Sequence, residues 1–168
     1  MAKRHRLIKV TPEAVWEILA DGERYADWVV GTARSEPVRG NWPEVGAAIA
    51  YEVRLGPLKL HNETVVRRCV PGRELELEAK AGPLGTARIA LELRSWGDDT
   101  LIIVDEHPLR GAGGMIHNVG VEALIQLRHR EMLRRLEEVC EEARRPAGAE
   151  ADGRGGPAGG GSPAPAGA

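Results

Sequence analysis

Arg128 lies between Ile125 and Met132 in a segment whose apolar residues recur at helical spacing, so its guanidinium falls on a stripe that has to be dry. A guanidinium taken out of water needs a carboxylate or another electron-rich oxygen beside it. It could anchor a ligand carboxylate, enolate or carbonyl oxygen, or form an internal pair with Glu63 or Glu106, or snorkel to the surface. His61 and Glu63 stand two residues apart in an extended run and therefore share one face of it. Facing inward, they would make an acid/base couple of the kind that enolises a β-dicarbonyl compound for an aldol closure. Facing outward, they are ordinary surface residues, because the other face carries Leu60, Asn62, Thr64 and Val66 and the alternation is ambiguous.

Glu106, His107, His117 and Asn118 flank a glycine-rich stretch, Pro108 to Ile116, where an extended run gives way to a helix. A rim position there suits gating or polar recognition, with His117 as a second candidate proton acceptor and Asn118 as a helix cap. Trp28, Trp42 and Tyr51 are candidates for the wall of a binding space, or for plain core, and Trp42 in its Pro-flanked loop could also act as a lid. Ile125 and Met132, on either side of Arg128, would line the same space. The chain has no GxSxG elbow, no HExxH, no Walker loop and no dinucleotide fingerprint, and His61-Asn62-Glu63 does not make a metal triad by spacing alone. Neither a metal nor a cofactor is expected.

The elements that must position these residues are marked by punctuation. Arg4 to Val10 reads as a strand, and Thr11 and Pro12 then supply an N-cap and a favoured first helical residue for a stripe of Val15, Ile18 and Leu19. Asp21-Gly22 stops that helix, and Tyr25, Trp28 and Val29 suggest a second short one. A weak strand, about Ala33 to Val38, runs into the Gly40-Asn41-Trp42-Pro43 loop. Beyond it the period becomes two. Gly56-Pro57, Pro71-Gly72, Gly82-Pro83 and Gly97-Asp98-Asp99 divide runs at Ala47 to Leu55, Leu58 to Val70, Arg73 to Ala81, Leu84 to Ser95 and Thr100 to His107. Connections this short force antiparallel neighbours. Ile49, Tyr51, Val53 and Leu55 take one face, as do Leu75, Leu77 and Ala79, and Ile89, Leu91 and Leu93, whereas charged residues take the other.

From His117 or Asn118 to Arg144 the helical pattern is strong, and the helix would be roughly 40 Å long. Val121, Ile125, Met132, Leu136 and Val139 form its stripe, while Glu131, Arg134, Glu137, Glu138, Glu141 and Glu142 face mostly away. That stripe has one large apolar surface to meet, the dry face of the sheet.

Totals bound the rest. The chain has 168 residues, enough for one domain over 1–145, and the Pro/Gly/Ala-rich remainder, 146–168, cannot bury enough side chain to order itself. A formal net charge of −2 with interspersed signs creates no field for nucleic acid. The two cysteines show no redox or zinc spacing, and no run is apolar enough for stable membrane insertion, which points to a reduced, cytoplasmic setting.

The order of one strand, two short helices, six antiparallel strands and a long last helix is the α+β helix-grip arrangement with a seven-stranded curved sheet. The phrase TPEAVWEILADGERYADW, Thr11 to Trp28, and the hairpin region GPLKLHNETVVRRCVPGRELELEAKAGPLGTARIALEL resemble the START-like superfamily, called SRPBCC, and within it the polyketide cyclase/dehydrase-like group. The resemblance spans about residues 3 to 144. It implies a hydrophobic cavity between sheet and last helix for lipids, polyketides or aromatic and isoprenoid molecules, without implying catalysis. An aldol cyclisation or dehydration would use His61 or His117 as proton acceptor, Glu63 or Glu106 to orient it, and Arg128 at the enolate oxygen. The absence of Phe independently leaves a curved sheet short of bulk to fill the space under a straight helix. The alternative is a protein acting through macromolecular contact, a chaperone-regulator or toxin-like relative whose cavity is incidental.

Overall fold

The computed structural model describes residues 2–55, 58–80, 86–110 and 119–145, so the glycine-rich stretch and the tail at 146–168 lie outside the described residues. Strand β1 (Ala2–Ile8) passes through Val10, whose carbonyl accepts the buried Thr100 hydroxyl at 2.7 Å, into α1 (Pro12–Leu19). Thr11 caps α1: its Oγ1 accepts the Ala14 N–H at 3.4 Å, and Pro12 occupies the first turn, where a missing N–H removes no helical bond. The single turn α2 (Tyr25–Trp28) is held to the following strand by the Ala26 N–H, which donates to Ser35 Oγ at 3.1 Å.

Then come β2 (Thr32–Arg39), β3 (Ala48–Leu55), β4 (Leu58–Val70), β5 (Glu74–Lys80), β6 (Thr86–Trp96), β7 (Asp99–Arg110) and α3 (Val119–Arg144). The seven strands form one curved antiparallel sheet in the order β1-β7-β6-β5-β4-β3-β2, as the hairpin punctuation requires. The first strand returns to pair with the last, Ile8 opposite Thr100 and Arg4 opposite Val104. Irregularities at Val66/Arg68, Thr86/Ala87 and twice between β2 and β3 break the ladder where a sheet gains extra bend and twist. Between β2 and β3 the chain reverses at Gly40. Its φ of +65° suits glycine, and a Cβ there would meet the Ala47 Cα at 3.2 Å.

The dry face carries Ile49, Val66, Leu75, Leu77, Leu91 and Ile102, all buried, and α3 sets Met132, Leu133, Leu136, Val139 and Cys140 into the same core. Burying each such aliphatic side chain contributes roughly 1.5–3 kcal/mol, before the entropy of ordering the chain is set against it. The helix backbone runs against α1, α2 and the edge strand β1. Arg6 on β1 donates from Nε to Glu137 at 2.6 Å, and Arg144 donates to the Lys9 carbonyl at 2.8 Å, so the second half of α3 is tied down on that side. Among the described residues no helix is long and apolar enough to cross a membrane.

Candidate functional site

A group of polar side chains occupies the inner face of this otherwise apolar palm. Register explains how they arrive there. In an antiparallel pair, directly opposed residues project to the same side. Tyr51 and Ile49 point inward on β3, so their partners on β4, Asn62 and Thr64, point inward too. The Tyr25 and Thr64 hydroxyls share a hydrogen bond at 3.0 Å across the two elements, and Thr64 and Asn62 lie close enough to Tyr51 to favour its ionised form slightly. Tyr25 is the centre of an aromatic group, with ring centroids 5.2 Å from Trp28, 5.9 Å from Trp42 and 5.7 Å from Tyr51.

The second half of the group joins β7 to α3. Glu106 lies opposite Ile89, on the dry face, and is 6% exposed; His129 is fully buried. Their side chains meet at 2.5 Å, His129 Nε2 to Glu106 Oε2. Burial by itself pushes the Glu106 carboxyl upward, but the hydrogen bond from His129 and the nearby positive charge of Arg128 outweigh it and hold the group below the usual carboxylate range. A carboxylate only accepts, so Nε2 is the donating nitrogen and Nδ1 is left over. That Nδ1 is buried without a hydrogen-bond partner among the described residues, as are Arg128 Nε and the indole N–H of Trp28.

Arg128 is half-buried and forms no ion pair with a carboxylate among the described residues. Its charge nevertheless reaches Tyr25, Tyr51 and Glu106. Desolvation raises both phenols above their ordinary value, and the pull of Thr64 and Arg128 only partly offsets it, so both stay neutral donors.

The other sequence candidates fall as follows. His61 is exposed and Glu63 half-exposed, both on the outer face. Lys80 donates to Glu63 at 2.7 Å and Arg39 lies 3.5 Å away, so that carboxyl is held low by a surface network; the inward arrangement of the couple, and a Glu63–Arg128 pair, are not formed. Glu106 is turned inward as a partner, but of His129. Trp28 and Met132 are buried core, Tyr51 is half-buried against it, and Trp42 donates its indole N–H to the Leu19 carbonyl at 3.0 Å while lining an open surface groove with Trp16 and Asn41. His107 faces outward beside Asp105 at 3.1 Å. His117 lies outside the described residues, as does the side chain of Ile125.

Sequence reasoning passed over His129, Tyr25, Asn62 and Thr64. The signal for His129 was present, since it precedes Met132 and Leu133 by three and four residues and so shares their face of the helix. The signal for Thr64 was the two-residue spacing between Leu55 and Leu58, which sets a register pairing Tyr51 with Asn62. Among the described residues no three His, Cys, Asp or Glu side chains gather as a metal site would need.

No curated protein is significantly similar in sequence. Several solved structures share the fold. The Zhui aromatase/cyclase from Streptomyces sp. R1128 is 18% identical, with a TM-score of 0.69 over 88% of this chain and 96% of that one. Ara h 8.0201 is 10% identical, with a TM-score of 0.69 over 84% and 97%, and TTHA0849 from Thermus thermophilus is 16% identical, with a TM-score of 0.66 over 86% and 99%. At these identities the likeness is one of fold. The family model for "polyketide cyclase / dehydrase and lipid transport" matches residues 2–141, nearly the whole described body, and the chain therefore belongs to that family, within the START-like SRPBCC superfamily.

Proposed function

We propose that this protein holds a small, largely apolar molecule between the dry face of the sheet and the first half of α3, with a proton-transfer dyad, Glu106 and His129, at the ligand's polar end. The observation that carries the reading is the unpartnered Nδ1 of His129. Leaving a buried polar atom unpaired costs about 1–3 kcal/mol, and a fold made only for stability would place an apolar side chain there. The family's range, from cyclases and dehydrases to lipid transport, supports a ligand of hydrophobic type. The apolar seat of α3 lies in its second half, through Met132, Leu133, Leu136 and Cys140, while the polar group collects at Arg128 and His129, one turn earlier.

The dyad suits aldol cyclisation and dehydration. Glu106 fixes the imidazole through Nε2, so Nδ1 can take a proton from a carbon flanked by carbonyls, and the resulting enolate oxygen is stabilised by Arg128. The enolate carbon then bonds to a second carbonyl of the same ligand, whose oxygen receives the proton back. In a dehydration the same nitrogen removes a second carbon-bound proton as hydroxide leaves and is protonated to water. This proposal gives the proton-acceptor role, expected from sequence at His61 or His117, to His129, and keeps Glu106 rather than Glu63 as the residue that orients it.

Native mass spectrometry of freshly purified protein tests the binding reading, with the neutral fluorophore phenylnaphthylamine as a solution probe. The expected result is a retained adduct of small-molecule mass, or saturable probe binding that a retained molecule competes with. A clean apo mass together with no probe binding would refute it.

A further inference from the structure

The interior polar groups do not balance, and the imbalance names the polar end of the ligand. The Tyr25 and Thr64 hydroxyls satisfy one another, and no polar side-chain atom of Tyr51 or Asn62 is buried without a partner among the described residues. Glu106 is engaged by His129 at 2.5 Å. What is left unpaired is the His129 Nδ1, assigned above to the ligand's acidic proton, and two donors that cannot accept, the Trp28 indole N–H and the Arg128 Nε–H, all buried without a partner among the described residues. Among those residues, no carboxylate of the inner face is left to meet these two donors, since Asp105 is turned to the outer face beside His107. Arg128 also carries a charge that lacks a matched counter-ion there, since Glu106 is committed to His129 and forms no ion pair with Arg128.

We infer that the ligand is an amphipathic acid whose ionised carboxylate is received by Arg128 and Trp28, its apolar body lying along the dry face of the sheet. This rests on the binding reading above and sharpens it. A guanidinium presents parallel N–H donors that match the two oxygens of a carboxylate, and in a site drier than the surface such charge-assisted bonds are strong. The two neutral phenols add dipoles instead of repelling charge, and Glu106 does not oppose the anion as a free charge would because His129 faces it. A neutral ester of the same body keeps the apolar contacts but offers Arg128 no charge. The indole of Trp28, edge-on to Tyr25 at 5.2 Å, adds a donor on a side chain that is 1% exposed, so it is positioned by packing before any ligand arrives.

The test compares acids with their methyl esters on the full chain, following tryptophan fluorescence and calorimetric heat. Decanoate and naphthoate serve as probes of two shapes. The expected result is at least tenfold tighter binding of an acid than of its ester at neutral pH. In Arg128→Met that preference falls to within twofold while ester binding persists, and Arg128→Lys recovers part of it. Equal affinity of acid and ester, or an unchanged preference in Arg128→Met, would overturn the carboxylate assignment and leave the hydrophobic-ligand reading standing. If neither acids nor esters bind at all, both fall together. Circular dichroism of Arg128→Met confirms that the variant compared is folded, and Arg128→Gln, which keeps polarity without charge, replaces it if it is not.

Discussion

Replacing Glu106 by Leu removes the hydrogen-bond partner of His129 while keeping a side chain of similar bulk. Glu106 is 6% exposed and His129 fully buried, so the stranded imidazole cannot turn to water. A buried hydrogen bond to a charged group contributes about 1.5–3 kcal/mol, and the Nε2–H left unpaired adds its desolvation cost, so Glu106→Leu should lose about 3 kcal/mol. The reverse change, His129→Leu, strands the carboxylate and should cost at least as much. Making both changes leaves two aliphatic side chains in a core that already holds Ile89, Leu91 and Leu133, and such replacements are often neutral or stabilising. The double variant should therefore recover most of the loss, a non-additivity of at least about 2 kcal/mol. Urea unfolding measures this through shifts in midpoint at constant slope, and a melting temperature lower by about 6–12 °C in each single variant gives a second reading. The pH dependence has a definite sign. Because the folded carboxyl sits below its ordinary value of 4.5, its stabilising contribution is present above that value and is lost as pH falls through the lower folded value. The gap between wild type and Glu106→Gln should accordingly narrow in acid. Additive losses in the double variant, or single losses under about 0.5 kcal/mol, would show that the two side chains are not a buried coupled pair.

Other predictions concern residues outside the dyad. His61→Ala and Glu63→Ala lie on the outer face, and each should change stability by no more than about 0.5 kcal/mol and leave probe affinity within twofold; a large loss of binding would return the couple to the ligand. Burial pushes the Cys140 thiol up to about 12 and raises the half-buried Cys69 less far, so a thiol reagent at pH 8 should label Cys69 quickly and Cys140 only on unfolding. Two equally fast cysteines would contradict the packing of α3. The same rise means that the neutral thiol stabilises the fold up to the ordinary value of 9.0 and that this contribution is lost between there and about 12, with the buried Tyr25 phenol adding to the loss above 10.0. Cys140→Ala should flatten the lower part of that alkaline decline, seen as a smaller drop in urea midpoint between neutral pH and pH 10.

The position of the site in the fold bears on how function is partitioned. The outer face of the sheet is laced with ion pairs, Arg67 with Glu78 at 2.9 Å and Arg88 with Glu76 at 2.6 Å among them, while the inner face holds a compact polar group. Exposed pairs of the first sort contribute little each and suit solubility and register. The second sort costs desolvation, and perturbed buried groups of this kind gather at functional sites, which is the ground for the proposal made above.

Local chemistry by itself determined the order and type of the elements. Thr11-Pro12 starts a helix wherever it stands before an amphipathic run, Pro71-Gly72 and Gly97-Asp98 turn a chain between alternating strands, and the Leu75, Leu77, Ala79 face follows from a period of two, because these are effects among near neighbours. The buried stripe of α3 was legible at Met132, Leu136 and Val139 for the same reason. What the sequence left open was every choice between two nearly equal faces. Both faces of β4 carry polar side chains, and the pairing of Asn62 with Tyr51 turned Thr64 inward and His61 outward. Adjacent helical positions differ by about 100° of rotation, and only the seat of α3 on α1, α2 and β1 decided that His129 is buried and its neighbour Arg128 half-buried. The union of Glu106 with His129, 23 residues apart in the chain, is likewise a product of tertiary contact, since charge and spacing had offered Arg128, His61 or His117 as the carboxylate's partner.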